Sequence, residues 1–222
     1  MLTHLASTFI LAYMTLANKV TASRLVLAPA FFAIYLSPRF FPALFAGTYL
    51  LWPVLALWTL FLSSALTDML DGMIARKRGE TSDFGKFFDP FADTLTQVTY
   101  FFCFVIDGIL PPALFLVVLY REFSILFIRN MMLRKGITMG ARISGKIKTV
   151  SYICAVALAL LASSVQRLGV LGNFYPYLVI AASIVFSASV AIAIISLLDY
   201  ISVYRRAGQG SPKEQDFEKK AK

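Results

Sequence analysis

The sequence predicts an all-α polytopic membrane protein with six transmembrane helices, preceded by a helix lying in the membrane interface. Three observations predict it. Of the 222 residues, 59% are hydrophobic and only 15% charged, a mix outside the usual range of soluble globular domains. Apolar windows of about 20 residues, the length needed to cross a hydrocarbon core as a helix, recur along the whole chain. The 21 Lys and Arg residues cluster at alternate ends of those windows, as they do in short loops held on the cytoplasmic side.

Residues 1–17, MLTHLASTFILAYMTLA, are short for a span and lack the basic start and small-residue cleavage site of a signal peptide. They are expected to form an interfacial amphipathic helix, since a seventh span would place Lys19 outside and break the charge rule. Spans are expected at about 22–38, 47–76, 84–107, 111–134, 146–166 and 174–204. Lys19 and Arg24 precede the first span, and Arg76, Lys77, Arg78 and Lys86 lie between the second and third. Arg129, Arg134, Lys135, Arg142, Lys146 and Lys148 surround the turn from the fourth to the fifth, and Arg205, Arg206 and four lysines follow the sixth. Arg134 and Lys135 read as ordinary topology-setting charges.

Only Arg39 and Arg167 fall on the other side. Both termini are therefore expected in the cytoplasm, in a multi-pass protein of the inner membrane. The net charge of +9 fits this topology and attraction to anionic membrane lipids, with no nucleic acid as partner. Residues 207–222, with GQGSPKEQDFEKKAK from Gly208, are polar, charged and without period, and are expected to be a disordered basic tail. One domain, 18–206, remains between. Cys103 and Cys154 fall inside spans and read as packing residues, and the lone His4 as solvated or interfacial.

Carboxylates concentrate in one segment, DMLDGMIARKRGETSDFGKFFDPFAD, from Asp68 to Asp93. On a helix Asp68 and Asp71 lie one turn apart on one face, which Gly72 and Ala75 continue. Gly85, Asp89 and Asp93, spaced by four, form a second stripe. The connection at about 77–83 is short enough to bring the stripes together. Four carboxylates at the edge of a low-dielectric layer repel by several kcal/mol unless protonated or neutralised. One or two divalent cations would neutralise them, and oxygen donors without His or Cys select hard ions such as Mg²⁺, Mn²⁺ or Ca²⁺. Gly72, Ala75 and Gly85 leave open space beside the acids, which suits a nucleoside diphosphate. Solvated acids at helix ends are the ordinary alternative. They leave unexplained why two acidic stripes, three small residues in register and Arg76 share one segment.

The segment reads D-x2-D-G-x2-A-R-x8-G-x3-D-x3-D and resembles the signature of the CDP-alcohol phosphotransferases. NKVTASR (Asn18, Thr21, Arg24), REFSILFIR (Arg121 to Arg129), GKIKTV from Gly145 and SLLDYISVYRR are similar to the phosphatidylglycerol-phosphate synthase branch, so the resemblance covers about 18–206. It implies transfer of a phosphatidyl group from CDP-diacylglycerol to an alcohol, with release of CMP, by a homodimer working in phospholipid biosynthesis. It also implies two divalent ions, Mg²⁺ or Mn²⁺, held by Asp68, Asp71, Asp89 and Asp93. Asp93 would double as the base for the acceptor hydroxyl, while Gly72, Ala75, Arg76 and Gly85 would bind the nucleotide.

If the acceptor is glycerol 3-phosphate, its phosphate needs cations beside the metal site. Arg121, Arg129, Arg142, Lys146 and Lys148 are the candidates. Arg121 stands well inside the fourth span, where an unpaired Arg costs at least a few kcal/mol, and the adjacent Glu122 is expected to point elsewhere on the helix. Two positions depart from the branch: Thr94 stands where most of its synthases have Lys, and Arg142 where a small polar residue is common. Inositol phosphate or serine stay open as acceptors. A cation or proton transporter would place its acids near the midplane on broken helices, not at basic helix ends. A non-catalytic scaffold gives no reason for the motif.

Overall fold

The computed structural model describes residues 16–45, 50–78, 83–134 and 143–208. Among them are six long helices: α1 (Leu16–Phe40), α2 (Leu51–Arg78), α3 (Asp83–Ile106), α4 (Pro112–Arg134), α5 (Ile143–Leu168) and α6 (Tyr175–Gly208). Short 3₁₀ turns at Pro42–Phe45 and Gly172–Phe174 join the chain between α1 and α2 and between α5 and α6. Within the described residues, each expected apolar segment lies mainly on its own helix. The expected interfacial helix, apart from its last residues in α1, lies outside the described residues, as do the acid-segment connection at 79–82, Arg142 and the chain beyond Gly208. The start of the tail differs from expectation, because α6 continues through Arg205 and Arg206 to Gly208. Arg and Ala are strong helix formers, so the helix outlasts its apolar run.

Three of these helices contain stretches long and apolar enough to cross a membrane: Thr21–Phe40, Gly145–Leu168 and Gly172–Arg205, with a shorter apolar stretch at Leu51–Thr67. The interiors of α3 and α4 are interrupted by Asp89, Asp93 and Gln97 and by Arg121, Glu122 and Arg129. Those polar residues all converge on one place.

Helix α1 packs against α2 and α3, α5 runs along α6, and α4 lies against α6 and α3. Aromatic rings fill the centre. Phe31 meets Tyr100 with centroids 4.5 Å apart, and Phe101 meets Phe186 at 4.8 Å and Tyr152 edge-on at 5.0 Å. Such pairs contribute about 0.5–1.5 kcal/mol each beyond the area they bury. The α5–α6 seam is different in kind. Ala155, Ala159 and Ala162 on α5, and Ala182, Ser189, Ala193 and Ser196 on α6, are fully buried, and small residues at these spacings let two helices approach closely. Large apolar side chains such as Phe123, Phe127, Ile184, Ile195 and Leu198 point outward, the arrangement expected of a surface that faces lipid.

Helix α3 ends on Gly108, whose φ of +69° only glycine adopts without strain. Gly108 N donates to Val105 O and Ile109 N to Phe104 O, a Schellman closure that satisfies the last carbonyls. It leaves Asp107 at the helix end, where both arginines of the sparsely charged side find it. Arg39 Nη2 lies 2.7 Å from Asp107 Oδ1 and Arg167 Nη2 3.3 Å from Oδ2. The Tyr35 hydroxyl donates to Oδ2 as well, and Arg167 lies over the Tyr35 ring.

Candidate active site

The opposite end of the bundle holds a cavity of about 200 Å³. Asp89, Asp93 and Thr94 from α3 form one wall, and Arg121, Glu122 and Arg129 from α4 face them. Gly145, Lys146, Lys148 and Thr149 from the start of α5, with Tyr200 from α6, complete it. The spacing of four between Asp89 and Asp93 puts both carboxylates on the cavity side of α3. Four cations and three carboxylates line the space, leaving it positive overall.

Most of these charges are held by a neighbour. Arg24 on α1, only 1% exposed, donates from Nη2 to Asp89 Oδ1 at 2.7 Å, while the Asp89 side chain is 52% exposed. Asp93 Oδ1 accepts from Gln97 Nε2 at 2.7 Å. Lys148 Nζ donates to Gln97 Oε1 at 3.0 Å, lies 3.1 Å from Glu122 Oε1 and sits over the Tyr152 ring. Arg121 donates from Nε to the Ala193 carbonyl at 3.0 Å and from Nη1 to Glu122 Oε1 at 2.8 Å. Arg129 Nη2 donates to the Tyr200 hydroxyl at 2.9 Å. A smaller cavity of about 50 Å³, walled by Phe61, Tyr100, Tyr152 and Ile153, adjoins the other side of Asp93.

The expectation for Glu122 is overturned. Adjacent residues on a helix leave the axis in different directions, but the long Arg121 side chain reaches round to its neighbour, and both are buried. A buried arginine without a counter-charge is costly, and Glu122 supplies one. Of the other expected site residues, Asp89, Asp93, Arg121, Arg129, Lys146 and Lys148 share the cavity, whereas Gly85 lies on α3 outside its lining. Asp68, Asp71, Gly72, Ala75 and Arg76 fall on the last turns of α2, where the side chains lie outside the described residues, and Arg142 lies outside them altogether. Arg134, exposed at the end of α4, does not line the cavity.

Three residues here escape a reading by sequence alone: Glu122, Gln97 and Tyr200. Gln97 carried a usable signal, since it stands four residues after Asp93 and therefore on the same face. An Arg–Glu pair deep in an apolar helix was a signal too. Tyr200 lies in the stretch SLLDYISVYRR, from which no role for it could be read.

Carboxylates facing a bank of cations across one cavity, inside an all-helical bundle, make a site whose charges suit phosphate groups and the cations that accompany them. The CDP-alcohol phosphatidyltransferase family model matches residues 14–195, and the chain belongs to that family. It is 39% identical over 196 residues to the CDP-diacylglycerol–glycerol-3-phosphate 3-phosphatidyltransferase of Treponema pallidum (strain Nichols), covering 86% of this chain and 89% of the relative. The Bacillus subtilis (strain 168) protein of the same name is 36% identical over 148 residues, 66% of this chain and 76% of its own length. That of Aquifex aeolicus (strain VF5) is 28% identical over 193 residues, covering 84% and 94%.

Proposed function

We propose that this chain is a CDP-diacylglycerol–glycerol-3-phosphate 3-phosphatidyltransferase. It would make phosphatidylglycerol phosphate at the cytoplasmic face of the inner membrane, with all six long helices spanning, both termini cytoplasmic and two copies forming a dimer. The observation that carries the choice of acceptor is the bank of Arg121, Arg129, Lys146 and Lys148 across the cavity from Asp93. A phosphomonoester needs such cations, and serine has no phosphate to place there.

The reaction forms a bond between the acceptor hydroxyl oxygen and the β-phosphorus of CDP-diacylglycerol, the one that carries the diacylglycerol, and breaks the bond from that phosphorus to CMP. In this reading Asp93 accepts the hydroxyl proton, and the Gln97 contact fixes the direction from which it does so. Arg121, Arg129, Lys146 and Lys148, with Arg142, hold the acceptor phosphate, so that its hydroxyl lies near Asp93. Gly72, Ala75, Arg76 and Gly85 form the nucleotide site. Asp89 and Asp93 offer oxygen donors only, one turn apart on an open wall, a donor chemistry that fits hard divalent cations. Together with Asp68 and Asp71 they would hold two Mg²⁺ or Mn²⁺ ions, which when bound neutralise the diphosphate and the leaving oxygen. Arg24 keeps Asp89 turned toward the cavity.

The test is an acceptor screen with purified protein, CDP-diacylglycerol and Mg²⁺ or Mn²⁺, with the lipid products weighed by mass spectrometry. Phosphatidylglycerol phosphate and CMP in equal amounts are expected. Product with serine or inositol phosphate, and none with glycerol 3-phosphate, overturns the acceptor.

A further inference from the structure

An unbroken chain of polar groups joins Asp93 to the cation bank. Gln97 Nε2 donates to Asp93 Oδ1 at 2.7 Å, and Lys148 Nζ donates to Gln97 Oε1 at 3.0 Å. The same ammonium lies 3.1 Å from Glu122 Oε1, which also accepts from Arg121 Nη1 at 2.8 Å. The links come from three helices, with Asp93 and Gln97 on α3, Lys148 on α5, and Arg121 and Glu122 on α4. Arg121, Glu122 and Lys148 are each at most 5% exposed, and Gln97 9%. Water competes little for these contacts.

Gln97 has one possible orientation. An ammonium only donates and a carboxylate only accepts, so the amide oxygen must face Lys148 and the nitrogen must face Asp93. Turned over, the amide would set donor against donor at one end and acceptor against acceptor at the other. Glu122 is as constrained. One of its oxygens, Oε1, stands between two cations, so the carboxylate offsets one positive charge and holds the two head groups together.

We infer that Gln97 and Glu122 are positioning residues that couple the two halves of the site. Glu122 fixes the spacing of Arg121 and Lys148, and Gln97 carries the position of Lys148 to Asp93. A phosphate drawing on Lys148 then sets the orientation of the base. The inference rests on the roles given above to Asp93 and to the cation bank. Neither residue touches the reacting atoms, and each acts through its neighbour.

The experiment compares the full-length wild type with Gln97→Glu, Gln97→Met, Lys148→Met, Glu122→Gln and the double variant Gln97→Met/Lys148→Met. Wild-type protein that makes no phosphatidylglycerol phosphate overturns the acceptor reading itself. With an active wild type, Gln97→Glu keeps an acceptor for Lys148 but turns a carboxylate on Asp93. Its kcat is expected to fall about 10- to 100-fold, the scale of a misplaced catalytic group, with a smaller change in the KM for glycerol 3-phosphate. Gln97→Met, close in length and uncharged, should lose kcat similarly. Glu122→Gln should instead raise the KM for glycerol 3-phosphate several-fold and leave that for CDP-diacylglycerol unchanged. The double variant should lose less than the product of its two single losses, because both changes break one chain. Wild-type kcat in either Gln97 variant, multiplicative losses in the double variant, or equal shifts in both KM values overturn the coupling. So does failure of both Gln97 variants to fold, which makes Gln97 a structural residue.

Discussion

The two ends of this bundle are built from the same side chains and do opposite things. At one end Asp107 is held by Arg39, Arg167 and Tyr35, and its side chain is 11% exposed. At the other end Asp89 is also gripped by an arginine, yet its side chain is 52% exposed and borders a cavity. The difference lies in what the partners leave over. Around Asp107 the hydrogen bonds close on themselves, tying α1, α3 and α5 together. Around Asp89 and Asp93 the bonds run outward to the walls and hold charged groups apart across open space. Ion pairing alone therefore does not distinguish the two ends, whereas the space it holds open at one of them does.

The largest effect that would sharpen this contrast comes from removing divalent ions. Excess EDTA should abolish CMP release from CDP-diacylglycerol, and Mg²⁺ or Mn²⁺ should restore it. Full activity in EDTA would sink the two-ion reading. Next in size is Asp93→Asn, expected to lower turnover by about 10²–10⁴-fold, the usual contribution of a general base, with the fold intact. Measured beside it, Asp68→Asn should weaken metal and nucleotide binding together.

Arg121→Ala should act more narrowly. Loss of a charge-assisted contact of about 1.5–3 kcal/mol should raise the KM for glycerol 3-phosphate roughly 10- to 100-fold and spare that for CDP-diacylglycerol. Lys148 still balances Glu122 in this variant, so the helix should not lose its fold. An unchanged acceptor KM would move the phosphate site toward Arg129 and Lys146. Smallest in catalysis is Asp107→Asn. Arg39 is half exposed and screened by solvent, so its pairing adds little. Arg167 is largely buried, and losing its partner should lower the melting temperature by several degrees. Both KM values and kcat should hold, and any selective change in one KM would show that the two ends communicate.

Much of the architecture was legible because apolar length is a local property. Within the described residues each expected window falls mainly on one helix, and the ends that run beyond it, such as the start of α5 at Ile143 and the end of α6 at Gly208, lie where polar residues continue a helix past its apolar run. The placement of Asp89 and Asp93 followed from a spacing of four. Arg129, Lys146 and Lys148 were found near helix ends, and Arg121 because an arginine well inside a span is costly without a partner. Contacts made across the fold were hidden. Arg24 meets Asp89 at a separation of 65 residues and Arg129 meets Tyr200 at 71, distances over which no periodicity reports. Glu122 failed for another reason. Helical geometry gives the direction in which a side chain departs, and a long arginine need not stay on that course.

The alanine and serine seam between α5 and α6 inverts the usual ranking of which residues tolerate replacement. Ala159 and Ala193 carry no polar side-chain atom, yet both are fully buried. A leucine at either position would wedge two long helices apart. Lys148 stands about 16 Å along α5 from Ala159, and Arg121 is tied to the carbonyl of Ala193 itself. A screen for inactive variants that still reach the membrane should therefore return the least conspicuous letters of the sequence alongside its aspartates.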